Sequence, residues 1–206
     1  MRRPRPRTAD LPAGYPKTYE QALRLDDGRR VWVRPVVPSD APELAEAIRV
    51  ADPATLHARF LGGAPKITDI VLEKLTHLDY TSRFALAAFA GGRGIAIARY
   101  ASLPRIGDGV RQAEIAVAVA PEWRRAGLAT ALVALLARRA QECAITHFTA
   151  LFFAENLPVM ELARAGNARV AVARGTAQLD APLLAPGDAL TQRPDMGPAA
   201  PPTSES

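Results

Sequence analysis

The chain has 206 residues, 49% of them hydrophobic, with 26 Lys and Arg against 21 Asp and Glu and one cysteine. That length suits one ordinary domain with tails, and a half-apolar composition excludes global disorder. A lone cysteine, Cys143, excludes a disulfide framework and a cysteine-based zinc site and fits a reducing compartment. No stretch approaches the ~20 apolar residues of a membrane-spanning helix, and no hydrophobic run follows the charged N-terminus. The expected location is cytoplasmic, with no membrane partner.

The net charge of +5 is uneven. Residues 1–17 set Arg2, Arg3, Arg5, Arg7 and Lys17 against Asp10, a net +4, while 186–206 set Arg193 against Asp188, Asp195 and Glu205, a net −2. The intervening body carries +3. A mildly basic body can hold a polyanionic ligand but lacks the footprint of a nucleic-acid binder. Pro4, Pro6, Pro12 and Pro16 punctuate the head, and Pro194, Pro198, Pro201 and Pro202 the tail. We therefore expect disordered segments over 1–19 and 186–206 around one folded domain over 20–185.

In chain order, Arg29–Val36 is β-rich and follows an Asp26-Asp27-Gly28 turn. Asp40, with Glu43 three residues on, caps a helix to about Val50. Helical pieces are expected over Ala54–Phe60 and from Thr68, whose side chain can cap and which sets Ile70, Val71, Leu75 and Leu78 on one side. Strands at Phe84–Ala90 and Ile95–Ser102 flank Gly91-Gly92-Arg93-Gly94, a hairpin signal. A strand at Val110–Val119 contains Glu114-Ile-Ala-Val-Ala-Val119. A turn then leads to a long helix with Leu128, Leu132, Leu135, Leu136 and Ala140 as its apolar stripe. Phe148–Phe153 is a strand, Leu157–Ala165 a helix, and Arg169–Arg174 and Gln178–Ala181 are strands. Helices interleaved with consecutive strands and a hairpin predict an α/β domain with a mixed, mostly antiparallel sheet.

The sharpest feature is Arg124-Arg125-Ala126-Gly127-Leu128-Ala129, between an apolar strand and an amphipathic helix. A helix N-terminus presents unpaired N–H groups and the positive end of the macrodipole. Small residues admit an anion to them, and two arginines add charge, which suits a pyrophosphate. Neither Gly-x-Gly-x-x-Gly nor a Walker Gly-x-x-x-x-Gly-Lys-Ser/Thr is present. Read alone, the hexapeptide is equally a plain strand-to-helix turn with exposed arginines.

Val119-Ala-Pro-Glu-Trp-Arg-Arg-Ala-Gly-Leu-Ala-Thr130 resembles the acyl-CoA motif of the GNAT superfamily of N-acetyltransferases, Gln/Arg-x-x-Gly-x-Gly/Ala. Strand Glu114–Val119 sits where the family's central strand should. Glu155-Asn156 through Gly166 resembles its following Asn-led helix. The likeness spans about residues 20–182 in the right order. Thr55–Phe60, Leu75–Tyr80 and Phe84–Ala88 are similar to bacterial Pat-type protein-lysine acetyltransferases. Those often carry a regulatory nucleotide-binding domain, and nothing here is long enough to be one.

The resemblance implies one GNAT-like domain that transfers an acetyl group from acetyl-CoA, as co-substrate and without metal, to a primary amine, with a protein lysine as first choice. Glu114 would be the base. As a lone carboxylate in an apolar strand it is expected to be buried, and burial raises a carboxylate's pKa toward neutrality. The alternative is that it points outward or pairs with an arginine. The backbone of Val117, Ala118 and Val119 would pair with the pantetheine arm like an added strand. Arg124, Arg125, Ala126, Gly127, Leu128, Ala129 and Thr130 would hold the diphosphate, and Asn156 would bind pantetheine or cap its helix. His77, Asp79 and Tyr80 either line an amine pocket or form a structural helix end. Cys143 reads as a small buried thiol, and His57, His77 and His147 lack metal-ligand spacing.

Two residues depart from the family pattern. Ala163 stands where many members place a Tyr that protonates the leaving thiolate, and Gly166-Asn167 replaces Gly-Phe. They motivate a rival reading, an acyl-CoA-binding regulatory module with little turnover. A nucleic-acid-associated protein led by the Arg-rich head is a third.

Overall fold

The computed structural model describes residues 11–51, 68–104 and 110–183. The expected helix at Ala54–Phe60, His57, the loop at 105–109 and both outer tails lie outside them.

The elements are β1 (Gln21–Arg24), β2 (Arg30–Pro35), α1 (Ala41–Val50), α2 (Asp69–Thr76), β3 (Arg83–Ala90), β4 (Arg93–Ser102), β5 (Gln112–Val119), α3 (Leu128–Glu142), β6 (His147–Phe153), α4 (Leu157–Ala165), β7 (Arg169–Ala173) and β8 (Thr176–Pro182). They build one eight-stranded sheet in the order β1-β2-β3-β4-β5-β6-β8-β7. Every neighbouring pair is antiparallel except β5–β6, which is parallel and is bridged by α3. The expected mixed, mostly antiparallel α/β architecture is what forms.

Local chemistry accounts for several boundaries. Gly91 and Gly92 both take positive φ, +59° and +88°, the conformation of a two-residue type I′ hairpin between β3 and β4. Thr68 accepts a hydrogen bond from the Val71 amide and so caps α2. Leu128, Leu132, Leu136 and Ala140, spaced four apart, are all buried. They pack with Phe84, Leu86, Ala98, Tyr100 and Phe148 of the sheet in the main core. A second cluster joins Phe152, Ala163, Ala177 and Leu179 under α4.

Other expectations are corrected. Asp40 makes no side-chain cap to α1. Its carboxylate instead accepts from the Val37 amide at 2.9 Å and from both terminal nitrogens of Arg34, which is 3% exposed. A buried guanidinium demands a counter-ion, and that demand outweighs the cap. Glu43 reaches the Gly94 amide at 2.6 Å rather than its own helix end. Ile70 is 65% exposed, so it leaves the apolar side of α2.

The packed structure also begins before residue 20. Tyr19 is 1% exposed, lies edge-on to Phe84 at 5.3 Å and donates to Glu142. β1 is an edge strand of four residues whose half-exposed alternation is too short to stand out in sequence.

Candidate functional site

The parallel pairing of β5 with β6 is brief. Gln112, Ala113 and Glu114 stand opposite His147, Phe148 and Thr149, and no further pairs follow. On its other side β5 stays paired with β4 as far as Val119. The two strands thus part beyond Glu114 and leave one edge of Ile115–Val119 open.

Backbone alternation decides which groups face that opening. Leu103 donates to the Gln112 carbonyl and Ala120 to the Ile95 carbonyl, so even-numbered residues of β5 direct their polar groups to β4. Ile115, Val117 and Val119 therefore face the open edge. Of the three backbone positions expected to meet pantetheine, Val117 and Val119 point there and Ala118 is turned to β4. The Val119 carbonyl is already held by Arg124 Nε at 3.1 Å.

At the end of β5 the chain turns through Pro121–Trp123 and enters α3. Gly127 is the N-cap residue with φ +78°, and no side chain caps the helix. None of the backbone N–H groups from Arg125 to Thr130 has a hydrogen-bond partner among the described residues. Six consecutive unpaired amides at a helix N-terminus form a cradle for an anion. Ala126 and Leu128 are buried and anchor the turn, so they can offer a ligand only their backbones. Arg124, Arg125 and Thr130 are exposed around it, and Ala129 is half-buried.

The turn is braced from a distance. Asp26 donates its amide to the Ala126 carbonyl at 3.2 Å, and its carboxylate lies where a Cβ on Gly127 would stand, without accepting from the cradle amides. Arg29 donates to the Glu122 carbonyl at 2.9 Å and lies 4.1 Å over the Trp123 ring. These residues of the β1–β2 turn were missed in sequence. Arg29 sits 93 positions from Glu122 and Asp26 is as remote from Ala126, and the only local signal, Asp-Asp-Gly, reads as a turn.

Glu114 is exposed, not buried, which corrects the sequence expectation. It stands opposite Ala101 of β4 and Thr149 of β6, on the sheet face away from Ala113 and Phe148, which enter the core. A cavity of about 110 Å³ opens there, lined by Arg99, Ala101, Glu114 and Ala116. Ala116 stands opposite Arg99 and Ala101 opposite Glu114, so the two alanines take one diagonal of the cavity and the two charged residues the other.

Asn156 caps α4, its side-chain oxygen accepting from the Val159 amide at 3.4 Å. Its amide NH2 has no partner among the described residues. Ala163 is 3% exposed in the second core cluster, so that position faces the sheet. All four tyrosines are committed elsewhere, donating to Glu20, Glu142, the Val36 carbonyl and the Thr81 carbonyl. Burial pushes the Tyr80 phenol up to about 12 and those of Tyr15, Tyr19 and Tyr100 upward as well. Each tyrosine hydroxyl thus already has an acceptor within the fold. Tyr80 is fully buried and Asp79 accepts from Ser82 and from the Thr81 and Arg83 amides, so the structural reading of the Asp79–Tyr80 helix end holds, with His77 exposed beside it. Cys143 is half-buried against the core. The Gly166-Asn167 pair ends α4 with φ +52° at Asn167, not at the glycine. Asparagine tolerates that conformation.

No helix among the described residues is long and apolar enough to cross a membrane. Comparison with known proteins agrees with this fold. An acetyltransferase from Pseudomonas aeruginosa is 34% identical over 113 residues, 53% of this chain and 59% of that protein, so the match spans well under two thirds of the relative's length. The GNAT domain of S. lividans PAT superposes with a TM-score of 0.74 at 26% identity, over 82% of this chain and 99% of that one. The yncA protein of Salmonella typhimurium, solved with acetyl-CoA, shares the fold at 17% identity with a TM-score of 0.58, over 74% of this chain and 94% of that one. The profile of the acetyltransferase (GNAT) family matches residues 56–166, and the chain belongs to that family.

Proposed function

We propose that this chain transfers an acetyl group from acetyl-CoA to a primary amine, by direct attack within a ternary complex, with a protein lysine as the acceptor. One observation carries the reading: the row of unpaired amides from Arg125 to Thr130 lies at the end of a strand whose edge is open. Family membership, the S. lividans PAT domain and the acetyl-CoA bound to the Salmonella relative support it.

In this reading the diphosphate sits on the cradle, with Arg124 and Arg125 at its rim. The pantetheine arm runs along Ile115–Val119 as an added strand, next to the Asn156 amide. A free N–H of Val117 or Val119 polarises the thioester carbonyl as charge develops on its oxygen. The acceptor arrives as an ammonium and must lose a proton before it has a lone pair. Glu114, in the neighbouring cavity, takes that proton directly or through a water, as its exposure allows. The amine nitrogen then attacks the carbonyl carbon, the C–N bond forms and the C–S bond breaks. Coenzyme A leaves as a thiolate and takes its proton from water, since every tyrosine hydroxyl already donates within the fold and a thiol pKa of ~8.5 makes the thiolate a competent leaving group.

Glu114→Gln tests the assignment. It removes a proton acceptor and no phosphate donor, so thiol release should fall by about 10²–10⁴-fold. Calorimetric acetyl-CoA affinity should stay within about twofold. A full rate at neutral pH would reject Glu114 as the base. Acetyl-CoA binding without thiol release across a broad amine panel would favour the regulatory-module reading, and absence of binding would reject the cradle.

A further inference from the structure

Arg99 lies on β4 opposite Ala116, two residues before the Ala101–Glu114 pair, so it and Glu114 are diagonal neighbours across β4 and β5. Such neighbours stand about 7–8 Å apart at the backbone. Both line the same cavity. Neither side chain forms a hydrogen bond or ion pair with a described residue. Arg99 is nonetheless half-buried, and desolvation lowers its pKa while the Glu114 charge acts to raise it.

That combination is unusual. A partly desolvated guanidinium is costly unless something accepts its hydrogen bonds. Elsewhere in this protein the demand is met: Arg34 has Asp40, Arg139 has Glu142 and the Tyr80 carbonyl, and Arg29 has Asp27. Arg99 and Glu114 instead take one diagonal of the cavity and two alanines the other, and an alanine side chain accepts no hydrogen bond from Arg99. Opposite charges on the two walls of one small cavity match a ligand that carries both. Its ammonium would meet Glu114 and its anion would meet the planar donor fork of Arg99, which suits a carboxylate. At about 110 Å³ the cavity is well below the ~300–1,000 Å³ of a drug-sized site, so it takes only the reactive tip of an acceptor.

We infer that the acceptor carries a carboxylate within a few ångströms of its amine, and that Arg99 recognises it. This rests on the acetyl-transfer reading above and narrows its acceptor. Two sources share the chemistry: a free α-amino acid, and a peptide lysine beside an acidic residue.

The test compares matched acceptors on the full-length chain at saturating acetyl-CoA, by thiol release. One arm uses free glutamate and leucine against their carboxamides. The other uses lysine peptides flanked by Asp against the same peptides flanked by Asn. In at least one arm the carboxylate acceptor should exceed its amide by tenfold or more in kcat/KM, and the responding arm identifies the source. Arg99→Gln should reduce that ratio to about one, mainly through KM, and Arg99→Lys should restore part of it. Equal rates for carboxylate and amide in both arms, or a ratio that survives Arg99→Gln, would overturn the inference. The wild-type ratio needs no variant, so a misfolded Arg99→Gln chain leaves the test intact. Acetyl-CoA calorimetry separates the two levels: normal binding with no carboxylate preference defeats this inference alone, whereas absent binding defeats the acetyl-transfer reading too.

Discussion

Gly127 carries two separate constraints, and a small set of substitutions tells them apart. Its φ of +78° lies in the left-handed region, and an added Cβ would sit 2.5 Å from Oδ2 of Asp26. The backbone part costs an L-residue about 1–2 kcal/mol. The contact part is cheap, because Asp26 is exposed and its carboxylate has no hydrogen-bond partner among the described residues to hold it in place. It can rotate away. Gly127→Ala should therefore lose about 1–2 kcal/mol of stability, almost all of it backbone strain. At ~2–4 °C per kcal/mol for a domain of this size, that is a drop of about 2–8 °C in Tm. Asn tolerates left-handed φ, so Gly127→Asn should lose less than Ala. Adding Asp26→Ala to Gly127→Ala should recover only a small fraction, as a double-mutant cycle of thermal unfolding would show. Complete rescue by Asp26→Ala would place the cost in the contact. A harmless Gly127→Ala, or an Asn variant worse than Ala, would mean the turn does not adopt this conformation.

Two further outcomes follow from charge. Arg125→Glu reverses a charge beside the cradle and should weaken acetyl-CoA by about tenfold at low salt, with the effect shrinking toward nothing near 1 M as screening shortens to ~3 Å; calorimetry across a salt series checks it, and a salt-independent loss would contradict an electrostatic role. Asp40→Ala takes the carboxylate partner from the Arg34 guanidinium, 4% exposed in its side chain, and removes the acceptor of the Val37 amide. It should cost about 3 kcal/mol, the low end for breaking a buried pair because Asp40 is itself 14% exposed, and a loss under 1 kcal/mol by denaturant unfolding would show the pair to be superfluous.

Short-range order was legible in the residues. The Gly91-Gly92 hairpin, the Thr68 cap and the four-residue spacing of Leu128, Leu132, Leu136 and Ala140 all follow from backbone sterics and periodicity within one element. The same holds for the small-residue turn before α3, since an uncapped helix start after a strand is a local property. What tertiary structure decided depends on which elements meet. Glu114 looked buried because its strand neighbours are apolar, yet alternation sends Ala113 into the core and leaves Glu114 on the open face. Asp40 gave up its cap once Arg34 was buried beside it. The parting of β5 from β6, the brace from Asp26 and Arg29, and the placing of Arg99 beside Glu114 all join residues distant in the chain. No window of sequence contains both partners of such a contact, so its geometry exists only when the sheet has closed around it.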